Sequence, residues 1–197
     1  MFTGIIQAVE PILRSSRKNG SMLLEVRRPR GWRLKKGDSI AVDGTCLTIT
    51  DTSNGRYKTT LMPETLEKTA FGGALPKYVN LEPPVPASGA LHGHIVLGHV
   101  DAVGTIAGIK SEGSSRVYEV SFSKKFNDLL VEKGSIAVDG ISLTVVRAGN
   151  GIFSVALIPH TLAHTTIGSK KVGDKVNLEF DILAKHISAA FRRYARR

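Results

Sequence analysis

One hairpin is written twice in this chain, and that repetition constrains its fold more than any other feature. The stretch Gly134-Ser-Ile-Ala-Val-Asp-Gly-Ile-Ser-Leu-Thr-Val-Val146 is anticipated by Ser39-Ile-Ala-Val-Asp-Gly-Thr-Cys-Leu-Thr-Ile49. Asp43, Gly44, Leu47 and Thr48 return as Asp139, Gly140, Leu143 and Thr144 at one constant offset. An Asp-Gly pair between two apolar runs marks a tight hairpin, because type I′ turns need positive φ at both central positions. The match spreads outward. Asn54-Gly55 returns as Asn150-Gly151, and Leu61-Met-Pro-Glu-Thr-Leu66 as Leu157-Ile-Pro-His-Thr-Leu162. Tyr78-Val-Asn-Leu-Glu82 returns as Lys175-Val-Asn-Leu-Glu179, and Gly4-Ile-Ile-Gln-Ala-Val9 as Gly98-His-Val-Asp-Ala-Val103. Two copies are too few for a solenoid, so the repeat predicts two related domains, 1–86 and 95–182. The 197 residues suit that division, since it leaves roughly 90–100 residues to each half.

Within each half the apolar period is two. Ile40 and Val42, then Leu47 and Ile49, alternate with small or polar residues, as half-buried strands do. Turn dipeptides recur about every ten residues, which predicts an all-β barrel or sandwich. Pro63 and Pro159 each open a short helix, at the position where proline's missing N–H costs nothing. Glu82-Pro-Pro-Val-Pro-Ala-Ser-Gly89 is too proline-rich for a strand, and the linker is set at 87–94. The stretch 183–197 reads differently. Leu183, Ile187, Ala190 and Tyr194 fall on one face of a helix, and cations, Arg196 and Arg197 among them, gather toward its end. Such a narrow seam suits either a lone surface helix or a helix joining subunits.

Composition closes several routes. No apolar run is long enough to span a bilayer. The Met1-Phe-Thr-Gly-Ile-Ile start lacks the zones of a secretory leader, and a single cysteine, Cys46, permits no internal disulfide. A reduced, cytoplasmic setting is the expectation. The net charge of +10 raises nucleic acid as a partner, above all at Arg27-Arg-Pro-Arg-Gly-Trp-Arg-Leu-Lys-Lys36. Aromatic residues are only 6% of the chain, however, and no recognition helix or stacking sheet accompanies the run, so it reads as a solvated face.

The hairpins carry the candidate chemistry. Ser142 and Thr144 point to one face of a strand, with Asp139 at the turn and Lys133 just upstream. Together they form a donor–acceptor array suited to an amide-like heteroaromatic ring. Turn formation explains Asp139 by itself, but it does not require hydroxyls in both copies. Cys46 stands where the second half has Ser142 and reads as a pocket-lining thiol. His92, His94 and His99 fall close together, yet strand parity puts His99 on the opposite face from the other two, which argues against a metal. His94 reads as a hydrogen-bonded structural residue, and His99 as a group able to exchange protons near neutral pH.

Four features in this order are together specific: Met1-Phe-Thr-Gly-Ile at the start, the doubled hairpin, Gly98-His-Val-Asp, and Ile158-Pro-His-Thr-Leu162. Over essentially its whole length the chain resembles riboflavin synthase of the alpha-chain type. The resemblance implies that each half is a six-stranded antiparallel Greek-key barrel with a short helix. It implies transfer of a four-carbon unit between two molecules of 6,7-dimethyl-8-ribityllumazine, giving riboflavin and 5-amino-6-ribitylamino-uracil, with no metal and no organic cofactor. It further implies a homotrimer joined through C-terminal helices, its active sites lying between the first barrel of one subunit and the second of its neighbour. Pocket residues carried over to the first half are Gly4, Ile5 and Ile6, then Cys46, Leu47 and Thr48, and then Thr60, Leu61, Met62, Pro63, Glu64 and Thr65. Gly98, His99 and Val100 follow the linker. Those of the second half are Lys133, Asp139, Ser142, Leu143 and Thr144, with Ala156, Leu157, Ile158, Pro159, His160 and Thr161. In this reading His99 transfers protons, Ser142 and Asp139 position the ligand or an added water, and Lys133 stabilises negative charge on the ring. The basic surface is then a candidate docking face for a pathway enzyme such as lumazine synthase. The rival reading is a non-enzymatic lumazine or flavin carrier of the same fold. Three departures stand out: Asp43 where many members have Asn, Ala90-Leu-His-Gly93 in place of a double glycine, and a short C-terminal helix.

Overall fold

The computed structural model describes residues 1–195; Arg196 and Arg197, placed above in the C-terminal helix, lie outside the described residues. Six strands form the first barrel: β1 (Ala8–Lys18), β2 (Ser21–Arg27), β3 (Ser39–Val42), β4 (Thr45–Ser53), β5 (Arg56–Leu61) and β6 (Tyr78–Glu82). They close in the order β1-β2-β5-β4-β3-β6, all neighbours antiparallel. The second barrel holds β7 (Ala102–Glu112), β8 (Ser115–Ser121), β9 (Ser135–Val138), β10 (Ile141–Gly149), β11 (Ile152–Leu157) and β12 (Lys175–Phe180), closed in the same cyclic order. Bulges fall at matching places, Ile49/Asp51 in β4 and Val145/Arg147 in β10, where the extra residue bends each strand round its barrel. Helix α1 (Pro63–Lys68) and helix α2 (Pro159–His164) begin on the two prolines, as expected.

Each barrel fills its own interior. Leu24, Ile40, Ile49, Tyr57, Leu61 and Leu81 are fully buried in the first, and Ile106, Tyr118, Ile136, Val155, Leu178 and Phe180 in the second. The alternation read from the sequence is the alternation observed. Leu47 and Ile49 face the first core while Thr48 and Thr50 face out. A third, smaller core joins the barrels: Phe2, Ala41, Val96 and Ala137 pack together, and Phe2 and Val96 exchange backbone hydrogen bonds of 2.7 and 3.2 Å.

The two Asp-Gly tips meet at this seam. Asn80 donates from Nδ2 to the Asp139 carbonyl (2.9 Å) and accepts from Thr166 N (2.8 Å). Asn177 does the converse, donating to the Asp43 carbonyl (2.8 Å) and accepting from Ala70 N (2.7 Å). Each buried amide thus satisfies backbone groups of the opposite barrel, which is why the Val-Asn-Leu-Glu strand is repeated so closely. Helix α3 (Ile182–Tyr194) is capped by Asp181, which accepts from Leu183 N, and is tied down by Lys185–Asp101 (2.6 Å) and Arg192–Asp128 (3.2 Å). Its apolar side chains face outward: Leu183, Ile187, Phe191 and Tyr194 are 59, 69, 70 and 78% exposed. Among the described residues no helix is long and apolar enough to cross a membrane.

Candidate active site: two crossed half-sites

Each half begins with a segment that leaves its own barrel and completes the other. Glu82, at the end of β6, holds the first segment: its carboxylate accepts from Thr3 N (2.6 Å), Thr3 Oγ1 (2.8 Å) and Gly4 N (3.0 Å). Glu179, at the end of β12, holds the second through Leu97 N (2.7 Å), Gly98 N (2.9 Å) and His99 N (3.1 Å). Burial raises the pKa of both carboxyls, and the N–H donors pull it part of the way back. The held segments then cross over. Ser142 N donates to the Gly4 carbonyl at 2.7 Å, and Cys46 N to the Gly98 carbonyl at 2.8 Å. Only glycine fits at the crossings: φ is +76° at Gly4 and +80° at Gly98, and a Cβ would lie 2.6 and 2.5 Å from the Cβ atoms of Ser142 and Cys46. Gly4 and Ile6, which belong to the first half by sequence, thus pack on the second barrel, and Gly98 packs on the first.

The half-site on the first barrel comprises Cys46, Thr48, Thr60 and Met62, with Pro63, Glu64 and Thr65 opening α1 beside them. The half-site on the second comprises Ser142, Thr144, Ala156 and Ile158, with Pro159, His160 and Thr161 opening α2. Met62 and Ile158 are each 58% exposed, an apolar ledge beside a row of hydroxyls. Leu47, Leu61 and Leu157 point into the cores, so these predicted contacts are open to a ligand only through their backbone; Leu143 is half-buried against the second core. Such a surface, apolar with donors and acceptors along one edge, has the chemistry to hold a planar heteroaromatic ring.

His94, expected to be a hydrogen-bonded structural residue, is one, and its partner is Ser142. His94 Nδ1 lies 2.7 Å from Ser142 Oγ. The ring is buried, its pKa is lowered by that burial, and Nε2 has no partner among the described residues. A neutral imidazole therefore orients the serine hydroxyl. Gly93, just before it, permits this approach, because a Cβ there would fall 2.9 Å from the Ser142 Cβ and against the Thr3 carbonyl. His99 is exposed at the crossing, and its backbone rather than its ring is anchored. Lys133 is exposed, with φ +61°, at the position where the first half has Gly37. Glycine would occupy that left-handed backbone without the strain a lysine carries there.

Asp139 needs correction. It was expected to position the ligand, but its carboxylate is 1% exposed and lies at the seam. Oδ1 accepts from Asn177 N (2.7 Å), and Oδ2 sits 2.9 Å from Lys170 Nζ without an aligned hydrogen bond. Asp43 mirrors it, accepting from Asn80 N (2.7 Å), but makes no ion pair among the described residues. Both carboxyls line a cavity of about 470 Å³ between the barrels, away from Ser142 and Thr144. Burial, then the neighbouring Asp139 charge, pushes Asp43 well above the usual carboxylate range. Burial also raises Asp139, with Lys170 pulling back. Among the described residues no group of His, Cys, Asp or Glu side chains converges as a metal site requires.

The geometry has its counterpart in known proteins. The lumazine binding domain matches twice, over residues 3–83 and 97–181, so the chain is a tandem of two such domains. A riboflavin synthase of Actinobacillus pleuropneumoniae is 42% identical, over 95% of this chain and 88% of its own. One from Mycobacterium tuberculosis is 39% identical over 98% of both chains, and one from Bacillus subtilis 36% identical over 95% and 88%. The chain belongs to the riboflavin synthase family. Crystal structures of LumP share the fold: the complex with riboflavin superposes with a TM-score of 0.83 at 24% identity, covering 91% of this chain and 99% of that one.

Proposed function

We propose that this chain catalyses riboflavin synthesis from two molecules of 6,7-dimethyl-8-ribityllumazine, one bound on each barrel. Its products are riboflavin and 5-amino-6-ribitylamino-uracil, which together hold the atoms of the two substrates, so no external oxidant is consumed. The observation that carries the reading is the reciprocal crossing, Ser142 to Gly4 and Cys46 to Gly98. It gives the chain two equivalent surfaces, which supports a reaction between two copies of one molecule. Orientation of two bound rings supplies roughly 7–11 kcal/mol in favourable cases. The remaining task is proton movement at the acidic 7-methyl group and its partner ring. His99, exposed at the first half-site, transfers protons. Ser142, oriented by His94, positions the second ring or an added water, and Lys133 stabilises charge on it. Asp139 acts only by holding the seam.

The exposed apolar face of α3 supports a homotrimer, in which the first barrel of one subunit faces the second of its neighbour. Ile187→Glu is then expected to give monomers in light scattering, with loss of turnover. A cytoplasmic setting follows from the same reading. Incubation with the lumazine, monitored by riboflavin absorbance, tests the activity directly. A coloured complex that never turns over would establish the carrier reading instead.

A further inference from the structure

The basic run Arg27–Lys36, read above as a solvated face, also lines a cleft. Arg28, Arg30, Arg33 and Lys35 line one cleft of about 640 Å³ together with Trp32. None of these four cations is in an ion pair among the described residues. The cleft is also built to hold its shape. Trp32 N donates to the Pro29 carbonyl (3.2 Å) across a turn with Gly31 at φ +84°, and Asp38 N donates to the Lys35 carbonyl (3.1 Å) across a second with Gly37 at φ +93°. Trp32 and Leu34 are half-buried against the first core, which pins the wall between the two turns. Asp38, beside the cleft, is occupied by Lys35 N at 2.8 Å.

The second barrel shows that the fold does not need this charge. Its equivalent connection, residues 122–134, makes the same first contact, Phe122 N to the Gly151 carbonyl at 2.7 Å, as Arg28 N makes to the Gly55 carbonyl at 2.8 Å. There the position of Arg28 is taken by Phe122, packed at 5.7 Å on Phe153, and the loop mixes Asp128 and Glu132 with its lysines under α3. The first barrel leaves its loop uncovered and loads it with cations around a single indole.

We infer that this cleft is a nucleotide site: the base stacks on Trp32 and the phosphates sit among Arg28, Arg30, Arg33 and Lys35. Guanidinium groups match phosphate oxygens two at a time, and an indole flanked by cations favours a planar ring. The occupant is a free nucleotide rather than a nucleic-acid strand, because strand binding uses a run of aromatic platforms and the cleft has one.

Trp32 is the sole tryptophan of the chain, so emission excited where tyrosine does not absorb reports on this cleft alone. ATP titrated into the full-length protein is expected to quench it saturably and less tightly as salt rises. Calorimetry gives the same constant free of optical artefact. The double variant Arg30→Ala/Arg33→Ala, both exposed, is expected to weaken binding by about tenfold or more, the equivalent of about 1.4 kcal/mol, with an unchanged urea midpoint. Adenosine and inorganic triphosphate are each expected to bind far more weakly than ATP. The inference is overturned if ATP gives no saturable signal at millimolar concentration, or if the double variant binds as the wild type does. Triphosphate binding as tightly as ATP would remove the ring from it, and much tighter capture of an oligonucleotide would replace the free nucleotide by a strand.

Discussion

Replacing Gly44 by alanine tests whether the two hairpin tips hold the barrels together. Two contributions add at this position. The first is local: φ is +74°, where an L-residue costs about 1–2 kcal/mol over glycine. The second is tertiary. The new Cβ would lie 2.6 Å from Gly140 N and 2.9 Å from Gly140 Cα, both backbone atoms, whereas ordinary contact begins at 3.4 Å. No side chain can swing aside, so the tips must part by most of an ångström. That overpacking costs about 1–3 kcal/mol, and it stretches the Asn80 and Asn177 bonds that span the seam. Gly55 supplies the control, since it shares φ +74° but would place its Cβ in open space. Urea unfolding of both variants, followed by Trp32 fluorescence and far-UV circular dichroism, should show Gly55→Ala destabilised by about 1–2 kcal/mol. Gly44→Ala should lose roughly 2–5 kcal/mol, the sum of the two contributions. If the two variants agree within about 0.5 kcal/mol, the additivity limit for independent sites, the tip contact contributes nothing and the reasoning fails.

Other consequences can be measured separately. His99→Ala should lower turnover by on the order of 10²-fold without changing stability, because its ring is exposed; near-normal turnover would remove it as the acid–base group. Lys133→Gly should relieve left-handed strain, raising stability by about 0.5–1 kcal/mol while lowering turnover, a split seen by comparing urea midpoints with kcat. Asp43, raised by burial and then by Asp139, binds its proton more tightly folded than unfolded. Its contribution is therefore fully present below the ordinary value of 3.8 and is lost as pH rises through the folded pKa. Asp43→Asn should escape that loss, so its advantage over wild type should grow above pH 3.8 by about 1.4 kcal/mol per pH unit until the folded carboxyl ionises; a pH-independent difference would contradict the assignment.

The repeat, the strand alternation of Leu47 and Ile49, the proline-started helices and the Asp-Gly turns were all legible from residues alone, because each is a short-range pattern with a local physical cause. So was the pairing of Ser142 with Thr144 on one outer face, since the period of a strand is two. What an Asp-Gly tip touches was not legible. The same dipeptide makes the same turn whether it faces a ligand or its own twin, and only the seam decides that Asp139 meets Asn177, Lys170 and the opposite tip. The crossing of Gly4 onto Ser142 and Gly98 onto Cys46 was hidden for the same reason: it joins residues far apart in the chain whose approach depends on how two closed barrels dock. His94 was legible as a buried, hydrogen-bonded histidine, but its partner was not: only docking brings Ser142 to within 2.7 Å of it. Local periodicity thus determines two similar all-β halves and their polar faces, while long-range contacts with no sequence period close each half into a barrel and, through the packing of one barrel on the other, decide which residues come together.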